Sequence, residues 1–244
     1  MWLYRTSRCS ETPIILYDYR PNRKAENAEK YLEDFKGYLH TDGYKAYRSI
    51  DDVTIVGCWA HARRRFCEAL EILPKEQRKA TAAIGLDYCG KLYAIEKKMK
   101  DESPEDRLKE RQEQAKPLLD AFFAWAKSLR NIAPKSKLGK AVNYLIEEEP
   151  YLRRYIEDGR LEIDNNRAER SIKPFVIGRK NWLFANTPSG AKASATVFSI
   201  IETAKENGLD PYEYLKYVFT KAPNLKEIES VDILLPWNAP DCCR

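Results

Sequence analysis

The feature that most constrains this chain is a change of pattern at His61. Before it, short runs of β-formers alternate with short amphipathic stretches. Trp2–Arg5 and Ile14–Tyr19 read as a strand pair, turning around Ser7–Pro13 and closed by Pro21. Lys24–Phe35 repeats apolar residues at three and four and reads as a helix. Gly37–Asp42 then reads as a strand, Lys45–Ile50 as a short helix and Val53–Val56 as another strand. The order β-β-α-β-α-β is an α/β pattern. From Ala62 to Asp158 the pattern becomes helical almost throughout, with Phe66, Ala69 and Leu70 on one face. Ile84, Tyr88, Leu92 and Ile95 follow, then the stripe Leu118, Leu119, Phe122, Trp125, Ala126 and Leu129, and finally Leu138, Val142, Leu145 and Ile146. Links are expected at Lys100–Arg107 and Asn131–Lys137. The block reads as a helical insertion splitting an α/β unit, with its aromatic stripes serving as core. Boundaries follow at 1–60 for the first part of the core, 61–158 for the insertion, 159–222 for the second part and 223–244 for a tail.

After the insertion, Gly190–Asn207 reads as a long helix burying Ala193, Val197, Phe198, Ile201 and Ala204, with Gly208 as its C-cap. Asp210-Pro211 is an N-cap followed by proline at the first helical position, opening a helix through Phe219. The 244 residues suffice for a real core in one or two domains. The net charge of +5 permits a polyanionic partner without requiring one. Six dispersed cysteines without a Cys-x-x-Cys or a signal peptide fit reduced thiols in a cytoplasmic protein. No apolar run approaches the roughly 20 residues that span a bilayer, so no membrane partner is expected.

Charge concentrates where the α/β pattern resumes. Between Gly159 and Lys192 seven cations face three anions. Within Ile163–Phe184, Glu169 stands among Arg167, Arg170 and Lys173, with Arg179 and Lys180 following. Asp164, Asn165 and Asn166 can all cap a helix start. On that helix Asn166, Glu169, Arg170 and Lys173 share one face, while Ala168, Ile172 and Phe175 fall on the other. A carboxylate held rigidly beside cations suits a metal ligand next to a phosphate backbone. Asn166-x-x-Glu169 is equally a capping-box pattern, in which Glu169 returns to the cap N–H. The second acid singled out by position is Asp42, at a strand end before Gly43, where ligands gather in α/β sheets. Two carboxylates from separate elements can hold divalent metals, and two ions about 3.5–4 Å apart clamp an in-line phosphoryl displacement. Oxygen donors favour Mg²⁺, with Mn²⁺ as a substitute.

Three motifs and a tail occur in fixed order: Thr41-Asp-Gly-Tyr-x-Ala-Tyr47, Cys58-Trp-Ala-His-Ala-Arg-Arg-Arg-Phe66, Asp164-Asn-Asn-Arg-Ala-Glu-Arg-Ser-Ile-Lys-Pro-Phe-x-Ile-Gly-Arg-Lys-Asn-Trp-Leu-Phe184, and Leu234-Leu-Pro-Trp-Asn238. Together, from Trp2 to Asn238, they resemble the transposase family of bacterial insertion sequence 66. The resemblance implies a ribonuclease-H-like mixed sheet with an Asp-Asp-Glu metal triad. It implies Mg²⁺-dependent cleavage at the ends of a mobile element and transfer of the freed 3′-OH into target DNA. By motif, Asp42 resembles the second triad acid and Glu169 the third, both as catalytic residues and metal ligands. Arg167, Arg170, Lys173, Arg179 and Lys180 then contact DNA, the alternative for each being a solvated surface cation. Cys58 and His61 resemble the Cys-x-x-His that follows the second acid in several transposase groups. They are read as ordering the active-site edge rather than as half of a zinc site, since a closed site needs four ligands. Accessory proteins of the same element and an oligomer on DNA are further implications.

The family places its first catalytic aspartate, in an Asp-Glu-Thr context, upstream of the segment that here is Met1-Trp-Leu-Tyr4. Ser10-Glu-Thr-Pro13 falls in the expected hairpin turn, and Asp18 matches a family aspartate outside the triad. The expectation is a C-terminal remnant that lacks the first strand and the first metal ligand, binds Mg²⁺ poorly and does not cleave. The alternatives are a DNA-binding remnant without catalysis and a hydrolytic nuclease on the same fold.

Overall fold

The computed structural model describes residues 1–72, 81–182, 185–225 and 230–244, without the side chains of Arg179 and Trp182. The chain is mixed α/β and mostly helical. In order it forms β1 (Trp2–Arg5), β2 (Ile15–Asp18), α1 (Ala25–Tyr31), β3 (Gly37–His40), β4 (Val53–Val56), α2 (Trp59–Glu71), α3 (Thr81–Lys98) and α4 (Pro104–Glu110). A π-helical turn at Arg111–Ala115 leads into α5 (Lys116–Ser128), then α6 (Lys137–Glu147), α7 (Glu149–Leu152), α8 (Asn166–Trp182), α9 (Pro188–Glu206) and α10 (Pro211–Lys221). Short 3₁₀ turns follow to the C-terminus. The four strands make two separate two-stranded sheets: β1 and β2 antiparallel, β3 and β4 parallel. The chain divides into two compact units, residues 24–166 and residues 1–23 with 167–244. Strands β3 and β4 fall in the same unit as the helical block.

In the unit spanning 24–166, β3 runs beside β4 in register from Gly37 opposite Val53 to His40 opposite Val56. Thr41 continues the pairing by donating its N–H to the Val56 carbonyl at 3.0 Å. The last part of the helical block returns to β4 and the residue after it: Gly57 N–H donates to Tyr151 O at 2.9 Å and Arg154 Nη1 to Ile55 O at 2.7 Å. The core is built on Trp59, Phe66, Phe122, Phe123, Leu145, Leu152 and Tyr155, all fully buried. Each such side chain contributes about 1.5–3 kcal/mol by leaving water. The Trp59 indole N–H is not left unpaired; it donates to Leu152 O at 2.9 Å.

Three local readings change. Ile84 is exposed; α3 buries Leu92 and packs Tyr88 and Ile95 against the core as expected, and adds Ala82, Gly85 and Cys89. Gly85 is there because a Cβ would lie 2.4 Å from the Phe66 ring, so α2 and α3 meet closely at that point. The second half of the expected link Lys100–Arg107 is the start of α4. Ser103 caps it by accepting the Asp106 N–H at 3.1 Å, and Pro104 takes the first turn. A keystone missed in the sequence is Arg111, fully buried in the π-helical turn. Its five N–H bonds go to both Glu96 carboxylate oxygens and to the carbonyls of Tyr155, Asp158 and Leu161, at 2.7–2.9 Å. A buried cation is tolerated only with such complete pairing.

In the other unit, β1 and β2 form the expected hairpin, with Trp2 opposite Asp18 and Arg5 opposite Ile15. The second edge of β2 is covered by α9. Asn207 Nδ2 donates to Pro13 O at 2.8 Å. Thr203 Oγ1 accepts the Ile15 N–H at 3.0 Å and donates to the Ile15 carbonyl at 2.9 Å. Ser199 Oγ accepts the Tyr17 N–H at 2.8 Å. Four helical residues rise about 6 Å and two strand residues about 6.6 Å, so an i, i+4, i+8 polar row matches alternate strand residues. This corrects part of the expected buried face of α9: Ala204 is buried and Phe198 packs inward as expected, but Ala193 and Val197 are exposed, while Ala191, Ala195, Ser199 and Thr203 are buried. Gly208, at φ +72°, ends α9 as expected, and the Asp210 carboxylate caps α10 through Tyr212 N–H and Glu213 N–H. Among the described residues no helix is long and apolar enough to cross a membrane.

Candidate functional site

Asp42 lies in the unit 24–166 and Glu169 in the other. Asp42 sits two residues past the last paired residue of β3, after the buried Thr41, and its side chain is exposed. The exit is tight. Tyr44 N–H donates to Asp42 Oδ1 at 3.0 Å, the turn an aspartate makes with its own backbone two residues on. Gly43 takes φ +83°, a conformation that costs other residues strain. A Cβ on Gly43 would lie 3.2 Å from the Tyr144 hydroxyl and 3.8 Å from Glu148 Oε2. Helix α6 and the residue after it therefore stand against the Asp42 turn. Burial and the nearby Glu148 carboxylate push the Tyr144 phenol above its ordinary range, with Asp42 adding to the effect. Glu148 is buried and ion-paired with Arg48, whose guanidinium lies 4.8 Å from the Tyr151 ring centre. Arg65 lies 4.2 Å over the Tyr144 ring centre. Neither Tyr144 nor Glu148 was legible as a neighbour of Asp42, since no local spacing links residues about a hundred apart, and the pairing that places Arg48 there is with Glu148.

Cys58 and His61 open α2 beneath the end of β4. Cys58 is fully buried; its Sγ accepts Asn165 N–H at 3.5 Å, and its carbonyl accepts His61 N–H at 3.2 Å. Burial raises the Cys58 thiol to about 11, so it is protonated at neutral pH. His40 donates its Nε2–H to Gly57 O at 2.9 Å, and burial lowers its pKa to about 4. Asp164 joins the same region: Oδ2 accepts the Tyr93 hydroxyl at 2.7 Å and Oδ1 accepts Asn166 N–H at 3.0 Å. These bonds pin the end of β4, the start of α2 and the approach to α8 together. No group of three His, Cys, Asp or Glu among the described residues could hold a metal ion.

Glu169 occupies the first turn of α8 and is half-buried. The Asn166 N–H that a capping box would offer it is taken by Asp164. Ile172 and Phe175 pack inward against Ile15, Tyr17 and Ala195, as the periodicity requires. Arg167 reaches Glu206 at 3.0 Å, and Arg5 reaches the same oxygen at 2.9 Å. Arg170, Lys173 and Lys180 are exposed and, at spacings of three and seven, line one side of α8 together with exposed Ile177. The side chain of Arg179 and residues Leu183 and Phe184 lie outside the described residues.

A sequence model described as "Transposase IS66 family" matches residues 1–193, and one described as "IS66 C-terminal element" matches residues 199–237. Two similar proteins of Sinorhizobium fredii are named uncharacterized protein y4qI, 31% identical over 98% of this chain, and uncharacterized protein y4jD, 32% identical over 93% of it. In both cases the match covers 46% of the relative, so the chain spans about half the length of the curated relatives it matches. No solved structure gives a significant match. Family matches over nearly the whole chain, with the Asp42 turn and the α8 segment inside them, place this protein in the IS66 transposase family.

Proposed function

We propose that the chain acts in DNA transposition, in a metal-dependent cleavage and strand-transfer reaction at the ends of an insertion sequence. Family membership carries the reading. The resemblance gives Asp42 and Glu169 the roles of second and third acid of an Asp-Asp-Glu set. The exposed Asp42 carboxylate, fixed at a strand end by a two-residue turn, is suited in donor type to Mg²⁺ or Mn²⁺. A bound ion would supply charge stabilisation at the phosphoryl group. The chain's own residues contribute placement: α8 presents Glu169 in its first turn and Arg170, Lys173 and Lys180 along an exposed side, where phosphates are reached without desolvating a buried cation. An antiparallel hairpin and a parallel strand pair are both components of a ribonuclease-H-like mixed sheet, which supports that fold as the framework.

The test is incubation of the purified chain with Mn²⁺ or Mg²⁺ and duplex DNA carrying its element ends. Nicking or strand joining lost in both Asp42→Ala and Glu169→Ala supports the two acids in these roles and overturns the expectation that this chain does not cleave. Cleavage that survives in either variant removes that acid from the reaction. Salt-dependent binding with the DNA left uncut leaves the binding-only alternative in place. Cutting without joining of the 3′-OH leaves the hydrolytic nuclease.

A further inference from the structure

The Asp42 turn has two arginines beside it, and their surroundings differ. Arg48 is committed: it pairs with the buried Glu148 carboxylate and lies 4.8 Å from the Tyr151 ring centre. Arg65 has no such anion. It is exposed on α2, and among the described residues no carboxylate forms an ion pair with it. What holds it is the face of Tyr144, with the guanidinium carbon 4.2 Å from the ring centre. The hydroxyl of that same ring stands 3.2 Å from where a Gly43 Cβ would be, adjoining Asp42. The Tyr144 ring thus connects an unneutralised guanidinium to the turn that carries the acid. Arg65 is exposed, so a guanidinium resting on the ring face still offers N–H donors to solvent, and arginine takes phosphate oxygens in pairs. Arg63, two residues away, lies about 200° around the same helix and cannot share this position.

We propose that Arg65, mounted on Tyr144, is a backbone-phosphate contact next to Asp42. The proposal rests on the DNA reading above and names a residue of the Arg63-Arg64-Arg65 run for it. Tyr144 is a positioning residue, acting through Arg65 rather than on DNA.

The experiment is a fluorescence-anisotropy titration of the full chain with short duplex DNA of arbitrary sequence over a range of salt concentrations, needing neither cleavage nor metal. One phosphate contact contributes about 0.9 to the slope of log affinity against log salt, which is about eightfold in affinity near 0.1 M salt. Arg65→Ala is expected to lower the slope by about that amount and weaken binding about eightfold. Arg65→Lys, which keeps the charge, should retain the slope. Arg63→Ala should change it far less. Tyr144→Phe keeps the ring face and should bind like the wild type, whereas Tyr144→Leu should lose affinity as Arg65→Ala does. Circular dichroism and thermal melting of each variant separate lost contact from lost fold, and the exposed Arg65 carries the test if Tyr144→Leu unfolds. An unchanged slope in Arg65→Ala overturns the proposal, as does an equal loss in Arg63→Ala. If the wild type shows no salt-dependent DNA binding at all, the DNA reading fails and the proposal with it.

Discussion

His40 shows how one side chain's surroundings set a measurable property of the fold. It closes β3, donates to Gly57 O, and is held neutral by burial, with a pKa of about 4 against an ordinary 6.5. As pH falls through about 6.5 the unfolded chain gains a proton that the folded chain takes only near 4. Stability supplied by His40 is therefore complete above the ordinary value and is lost between about 6.5 and 4, by on the order of 1–3 kcal/mol. Urea midpoints measured across this window should fall more steeply for the wild type than for His40→Gln; parallel curves would show that His40 does not carry the dependence. At this scale the sequence singled out Asp42, Glu169, Cys58 and His61 as candidates by type and motif. It was silent on His40 and on Arg48, Tyr144 and Glu148, because their neighbours come from elements far apart in the chain.

Helix α9 is the element whose role differs most from its sequence pattern. Its apolar residues suggested a buried set of Ala193, Val197, Phe198, Ile201 and Ala204; Ala204 is buried and Phe198 packs inward, yet the face toward β2 is the row Ala191, Ala195, Ser199 and Thr203. An open strand edge leaves N–H and C=O groups unpaired, and covering it requires partners. Small residues allow the helix to approach, and the hydroxyls of Ser199 and Thr203 and the amide of Asn207 replace a neighbouring strand. Thr203→Val keeps the shape and strands the Ile15 N–H and C=O, so it should cost about 1–3 kcal/mol in chemical denaturation. A loss below about 0.5 kcal/mol would mean that these bonds are exchanged for others at little cost. Periodicity finds apolar stripes, and a polar row at the same spacing reads as a solvated face until the strand it serves is known.

For the whole molecule, continuity in sequence separates the two units. Residues 24–166 form one unbroken stretch with the large aromatic core, whereas the other unit joins 1–23 to 167–244. Expressed alone, residues 24–166 should melt cooperatively, with Trp59 emission blue-shifted by its complete burial. A non-cooperative melt with red-shifted emission would show that the unit depends on the remaining chain. By itself the sequence determined the alternation of the first 60 residues, the helical block, the antiparallel hairpin, the caps at Gly208 and Asp210, and the family. All of these rest on local propensity, periodicity or ordered motifs. Only the tertiary structure decided that β3 and β4 belong with the helices, that α9 seals β2 through side chains, and that Tyr144 joins Arg65 to the Asp42 turn. Those outcomes depend on which distant surfaces satisfy one another's hydrogen bonds and fill one another's space, and that is not written in any local spacing of residues.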